Sequence, residues 1–595
     1  MRTGALAGLT ALLLAGTAMA QQGGPIRLGP PPSANAAVQP VEPAPLPPPA
    51  AASPDQPTVE RQPLPDAPPP AAPGTRRPSG LEVQELGALS AEGAGPLSPN
   101  DSGFGTNLWA GTPRPLVEQL LPLVPGRSTS AATRDLARRL LLSGGAVPQG
   151  DKGKRNLAGL RLERVALMGD AAAANALVAA AEPALEDEDA ARAWMDVNLL
   201  AGDRDAACGK VAGLLGRFQH PEWQMYQVVC QVQAGQAANI GLGIDLLREQ
   251  GVKDDLFFRL AEATAAGQKQ PVKGVTDLTP TQLALIRASG RGLPPEAKVD
   301  DPAELAALAL AAETPLAVRL PAAERAAAYG ALPARELATI YKAVKANPAE
   351  LTDAAVASDP RKAGQARGLL YQAMTAEQDP AAKAALVARA MALSDASSLS
   401  GAYGELLAQE VAVLPPGGTL GSFAPAAARL LLLQGRPDLA RGWVEQAQRD
   451  AAGWDRLWPL AVLGGLARPT EIDIGAWLDR LDVANNADSR AAAGSVLALL
   501  AASGEPVDAN ARARLIGGPG IRGTVPDVTV WQRLGEAGEA RRAGEAALLA
   551  LALLGENGTA SALTTAHAVQ ALSAAGLRDP ARRLALEAAA ARLPM

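Results

Sequence analysis

The chain has 595 residues, 48% hydrophobic but only 3% aromatic, and a net charge of -6. Apolar material drawn mostly from Ala and Leu favours closely approaching helices over sheets of β-branched and aromatic residues, so an all-α body is expected. Acids and bases are interleaved, which leaves no single-sign field to gather nucleic acid or anionic lipid.

Residues 1–20 read as a signal peptide: Arg2 supplies the positive start, residues 5–16 a short apolar run, and Ala18-Met19-Ala20 the small-residue cleavage pattern, so the mature chain is expected to begin at Gln21. That apolar run is shorter than the ~20 residues a bilayer-spanning helix needs. No Cys follows Ala20 to carry a lipid. The expectation is an exported, periplasmic protein with no stable membrane insertion after cleavage.

Residues 21–112 are dominated by Pro, Ala, Gly, Ser and Gln, with Pro triplets at 30–32, 47–49 and 68–70. Such a stretch offers few large apolar groups to offset ordering entropy and favours polyproline II, so a disordered segment is expected. Near its end Phe104 and Trp109 are isolated aromatics suited to docking back on the body.

Helical signals begin near Pro115 and run to the end of the sequence. Asp301-Pro302-Ala303-Glu304 and Asn347-Pro348-Ala349-Glu350 each offer an N-cap, Pro at the first helical position and Glu two residues further on. Asp359-Pro360, Asp379-Pro380 and Asp579-Pro580 repeat the first two parts. These carboxylates are read as helix starts, not as active-site acids.

A Gly followed five residues later by Ala recurs at expected turns: Gly169/Ala174, Gly202/Ala207, Gly435/Ala440, Gly504/Ala509, Gly538/Ala543 and Gly576/Ala581, with Gly235/Ile240 as a looser copy. Gly169, Gly202 and Gly235 are 33 residues apart, and Gly504 and Gly538 are 34 apart. That is the length of two short antiparallel helices with their turns. The Gly can end one helix in the left-handed conformation, and the Ala lets the next helix cross closely.

These residues resemble the tetratricopeptide family over roughly residues 150–267 and 420–595. The family's Trp/Leu/Gly/Tyr pattern is mostly absent from the first helix of each pair. The resemblance implies an α-solenoid of degenerate antiparallel helix pairs with a concave face for protein or peptide, and it transfers no catalytic residue. The expected divisions are 113–267 and 421–595 as repeats, with 268–420 helical but out of register. The overall composition is also similar to Ala-rich exported bacterial proteins.

Cys208 and Cys230 are the only cysteines. They fall in helical patterns at 205–217 and 221–234, each about eleven residues from a turn near Gln219, which at ~1.5 Å per residue sets them at one height on antiparallel helices. Export permits a disulfide, and Ala206, Ala207, Gly209 and Ala212 allow the approach that it needs.

Little else suggests chemistry. The two histidines, His220 and His567, lack partners at metal-ligand or triad spacing. Gly518-Pro519-Gly520-Ile521-Arg522-Gly523 spells a dinucleotide loop but follows a helical pattern where a strand is required. Lys152-Gly153-Lys154-Arg155 lacks a phosphate loop's glycines, and Asn557-Gly558-Thr559 reads first as a helix terminator. The acids Glu182, Glu186, Asp187, Glu188 and Asp189 read as a solvated loop and helix start. Trp443, Trp454, Trp458 and Trp477 concentrate half of the eight tryptophans; they are read as inter-helix packing or as a partner groove.

No catalytic, cofactor-binding or metal residue is expected. The function expected is a noncatalytic scaffold or adaptor in the cell envelope that binds a protein or peptide. The alternative is a peptidoglycan-associated accessory protein, resembling the Ala-rich superhelical part of soluble lytic transglycosylases but lacking their aromatic-rich catalytic domain.

Overall fold

The computed structural model describes residues 90–593, apart from 270–271, 295–296, 395, 517–526 and 557–559. The expected signal peptide, most of the Pro-rich segment, the 518–523 loop and Asn557-Gly558-Thr559 lie outside the described residues. Among the described residues, twenty-eight α-helices and seven short 3-10 turns make up the regular structure, and no strand occurs.

The repeat spacing corresponds to real turns. Leu157–Leu167 and Ala171–Ala180, Glu188–Ala201 and Arg204–Arg217, and Glu222–Gln233 and Ala237–Glu249 are successive helix pairs. Gly169, Gly202 and Gly235 join them at φ of 74°, 80° and 68°. Ala174, Ala207 and Ile240 are buried five positions on, as the close-crossing argument requires.

Two positions depart from that pattern. Gly538 lies inside helix Val528–Glu539, and Arg541 makes the turn instead at φ 54°. A Cβ at Gly538 would stand 2.9 Å from the Ala571 Cα, so this glycine is needed for helix crossing rather than for a turn. Gly504 does turn the chain, but Ala509 is exposed.

The caps follow suit. Asp301, Asp359 and Asp379 open Pro302–Leu310, Pro360–Ala376 and Pro380–Ala392 by accepting backbone N–H groups. Asn347 caps only the 3-10 turn Pro348–Glu350, and Asp579 falls inside helix Arg578–Arg592, whose N-cap is Leu577.

The three helical stretches belong to one compact unit. Pro280–Ala288 and Pro302–Leu310, from the out-of-register stretch, both pack back on Glu188–Ala201.

Residues 90–112, the end of the segment expected to be disordered, are ordered against the body. They form a strap whose backbone pairs with the segment after helix Ala131–Leu142: Leu97 N donates to Leu142 O at 3.0 Å, Gly144 N to Leu97 O at 3.1 Å, and Gly145 N to Gly93 O at 2.9 Å. Leu108 and Trp109 are buried, and the Gly544 N–H donates to Leu108 O at 3.0 Å. Backbone pairing and two anchoring side chains replace the periodic apolar face that the strap lacks.

Arginines fasten helix ends across the stack, satisfying carbonyls that a helix terminus leaves without intrahelical partners. Arg161, 3% exposed, donates to Leu141 O at 2.7 Å, Ala94 O at 2.8 Å, Ser143 O at 3.0 Å and Glu92 O at 3.3 Å. Arg429 does the same for Ala590 O, at 2.7 Å, and Leu593 O at the end of Arg578–Arg592.

That helix packs against Ala131–Leu142, Ala424–Leu433, Ala451–Leu463, Ala487–Ala502 and Ala562–Ala574. Glu587 accepts the Ala132 N–H at 2.9 Å, and Arg583 pairs with Asp135 at 3.3 Å. The early and late helices of the unit are thereby joined.

Candidate functional site

Cys208 and Cys230 are bonded, with Cα atoms 5.5 Å apart on adjacent antiparallel helices. The bridge braces Arg204–Arg217 against Glu222–Gln233, and near the turn between these helices the half-buried Phe218 stacks on the buried Trp223 at 5.2 Å.

The tryptophan groove does not exist as a surface. Trp443, Trp454, Trp458 and Trp477 are all buried, the most accessible being Trp454 at 8%. Trp458 and Trp477 lie 5.6 Å apart, and their indole N–H groups are spent on Arg468 O and Asp455 O. Large rings here fill space between helices, Trp443 against Phe423 at 5.8 Å as well as Trp458 against Trp477. The one tryptophan of the eight outside the buried set is Trp531, stacked on His567 at 3.9 Å, with the His567 ring nitrogen Nε2 2.9 Å from the Trp531 carbonyl oxygen. His220 is exposed near Glu222.

The acid cluster and the basic run are structural. Asp187 caps Glu188–Ala201 and pairs with Arg155 at 2.7 Å, and Glu188 accepts the Trp223 indole N–H at 3.0 Å. Lys152 pairs with Glu92 at 2.5 Å.

Three of the cavities gather buried or half-buried charged side chains between helices. The first, about 510 Å³, lies along helix Arg578–Arg592 and is lined by Arg139, Arg582, Arg583, Asp135 and Glu587 among others. Its charges already serve the stack: Arg582 pairs with Glu505, Arg583 with Asp135, and Glu587 with the Ala132 N–H.

A second cavity of about 240 Å³ borders Glu324, Tyr341, Arg367 and Tyr403. Arg367 donates twice to Glu324, at 2.8 and 2.7 Å, and the Tyr341 hydroxyl donates at 2.8 Å. Burial pushes both tyrosine hydroxyls above their ordinary range. They therefore stay protonated.

The third, about 400 Å³, is a cleft between Glu188–Ala201 and Pro302–Leu310. Asp196, Asp301 and Glu304 open onto it together with Arg127 and Lys298. Burial pushes Asp196 up to about 8, although the Tyr226 hydroxyl donates to it at 2.8 Å. Burial, then the charge of Asp301, pushes Glu304 up to about 7. Asp301 is also raised by burial, against its cap bond to Ala303 and the Arg127 guanidinium 3.7 Å away. Acids held near neutrality in a cleft are the arrangement from which proton transfer or hydrogen-bond donation by a carboxyl is available.

Sequence reasoning places Asp301 and Glu304 at a helix start, which is half of their situation, and does not single out Asp196. Asp196 and Glu304 are 108 residues apart, and no local pattern joins them. Among the described residues no group of His, Cys, Asp and Glu is placed to hold a metal ion, and no helix is long and apolar enough to cross a membrane. Compared with known proteins, the chain matches no family model, no curated protein and no solved structure.

Proposed function

We propose that the chain is a noncatalytic scaffold of tetratricopeptide-like helix pairs, exported to the periplasm, whose body holds a protein or peptide partner in the cell envelope. The observation that carries this reading is the run of left-handed turns at Gly169, Gly202 and Gly235, each ending one helix of a pair 33 residues from the next. Regular helix pairs present the same kind of surface repeatedly, and helical solenoids use such surfaces for partners. The consumption of arginines and acids in fastening helix ends fits a body selected for rigidity. Crosslinking in cells followed by mass spectrometry tests it, with full-length protein and a variant lacking residues 21–89. Recovery of one envelope protein at fixed sites on the helix pairs is expected; crosslinks scattered without preference would overturn the proposal.

A second reading, association with peptidoglycan, is favoured by the cleft. Carboxyls that keep their protons near neutral pH donate hydrogen bonds to uncharged sugar oxygens. Sedimentation with purified cell-wall sacculi tests binding, and a zymogram tests cleavage. Clearing by wild type that Glu304→Gln abolishes would replace the scaffold with an enzyme.

A further inference from the structure

The 400 Å³ cleft joins two parts of the stack that are far apart in sequence. Its Glu188–Ala201 wall belongs to the regular helix pairs, and its Pro302–Leu310 wall belongs to the out-of-register stretch. Both walls carry acid. Asp196 projects from the first, Glu304 and its neighbour Asp301 from the second, and Asp300 lies at the rim.

The surrounding charges do not balance this set. From its own helix Asp196 faces Arg192, but Arg192 pairs with Glu222 at 3.2 Å. From helix Glu222–Gln233 it faces Tyr226 and Glu222, and across the cleft Asp301. Glu304 faces Asp301, Asp300 and Arg127, and the Arg127 guanidinium sits 3.7 Å from Asp301. Lys298 lines the same space. Asp300 is turned to Arg325 at 2.5 Å and keeps its charge. Helices Leu157–Leu167 and Pro280–Ala288 contribute only Ala166, Leu167 and Pro280 to the lining, and Arg287 of the second donates to the carbonyl of Leu200 rather than to an acid of the set.

We propose that this cleft is a pH-operated joint, shut while Asp196 and Glu304 carry protons and loosened when both ionise. In the shut state the two carboxyls are neutral and the walls approach without repulsion. Ionisation sets two new negative charges against Asp301 in a partly desolvated space, where like charges repel more strongly than in water.

The sign follows from linkage. A carboxyl whose folded-state value is raised binds more protons folded than unfolded, so it favours the shut form at low pH, and that advantage is lost as pH rises toward the folded value. For Glu304 and Asp196 the loss runs from the ordinary carboxyl range up to about 7 and about 8. An exported protein meets the pH of its surroundings more directly than one inside the cytoplasm. The joint lets that pH reach the relative placement of the two walls. It does not depend on the scaffold reading.

Hydrogen–deuterium exchange on the full chain tests the joint, comparing about pH 5.5 with about pH 8.5 after correction for intrinsic exchange. Peptides covering residues 188–201 and 302–310 are expected to lose protection by about tenfold or more at the higher pH, because the opening equilibrium rises about tenfold for each tenfold fall in proton concentration over which a carboxyl is ionised only when the cleft is open. Residues 424–433, distant from the cleft in contacts, serve as the internal control and are expected to be unchanged. Asp196→Asn with Glu304→Gln is expected to hold both walls protected at both pH values. Each single variant, with one ionising group left, is expected to keep part of the response and remains informative if the double variant does not fold. Equal wild-type protection at the two pH values would overturn the proposal. So would a pH response of undiminished size in the amide variants.

Discussion

Replacing Arg161 with Met removes the fastening between the strap and the stack while keeping a side chain of similar length. Arg161 is 3% exposed and donates to four carbonyl oxygens: Leu141 and Ser143 at the end of Ala131–Leu142, and Glu92 and Ala94 in the strap. Burial pulls the guanidinium down to about 10, so it is fully charged at neutral pH, and carbonyl dipoles alone compensate its desolvation. Hydrogen bonds from a charged donor contribute about 1.5–3 kcal/mol each, and part of that sum is offset by burying the charge. Taking one partner from such a buried arrangement costs roughly 3–5 kcal/mol, because the remaining polar groups are left dry. For a cooperative body of this size the melting temperature is therefore expected to fall by roughly 3–5 °C. Hydrogen exchange should localise the damage to residues 90–112. Arg161→Lys, which keeps a charge but not the planar fork, should fall between Met and wild type. If Arg161→Met melted within about 1 °C of wild type, with the Leu97 and Gly144 amides still protected, the reasoning would be refuted.

Other outcomes follow from the same geometry. Removing the bridge with Cys208→Ser and Cys230→Ser frees a 22-residue separation and is expected to cost about 3 kcal/mol, read as a lower melting temperature that reductant no longer changes; equal melting of the variant and the oxidised wild type would contradict it. Gly538→Ala drives a methyl to 2.9 Å from Ala571 and should destabilise by about 1–3 kcal/mol, whereas Gly213→Ala, whose methyl meets nothing within 4 Å on an exposed helix face, should stabilise by about 0.5–1 kcal/mol in chemical denaturation. A reversed order would show that helix crossing does not set the glycine requirement. Acrylamide should quench one minor tryptophan population, that of Trp531, so Trp531→Phe should abolish most of the quenchable fluorescence; substantial quenching left in the variant would place another tryptophan at the surface.

Local chemistry is the legible part of this chain. The Gly-to-Ala spacing, the Asp-Pro caps at Asp301, Asp359 and Asp379, and the equal heights of Cys208 and Cys230 depend only on neighbours within a few turns. Features set by distant segments are not legible. The strap looks like more of the Pro-rich segment because its order comes from backbone pairing with Leu142 and its neighbours and from the burial of Trp109. Gly538 matches the repeat spacing, yet its role is decided by Ala571 on the next helix but one. The tryptophan cluster reads two ways because spacing alone does not distinguish a ring that fills a gap from one that lines a groove. Asp196 and Glu304 acquire their shared situation only when a helix of the regular pairs meets one from the out-of-register stretch.

Ala132 and Glu587 are separated by 455 residues, and bringing such distant points together costs roughly 5 kcal/mol of loop entropy before any contact is counted. An open array of helix pairs frays from its termini and tolerates gain or loss of a unit, since each pair leans only on its neighbours. Here neither end of the array is loose. Unfolding that starts at either one must first break the join, which makes melting more nearly all-or-none than the number of repeats suggests. The join also fixes the count: deleting one helix pair would carry Glu587 away from Ala132 and Arg583 away from Asp135. A change in the number of units is therefore expected to break contacts between opposite ends of the array, which a change in a turn or on the surface leaves intact.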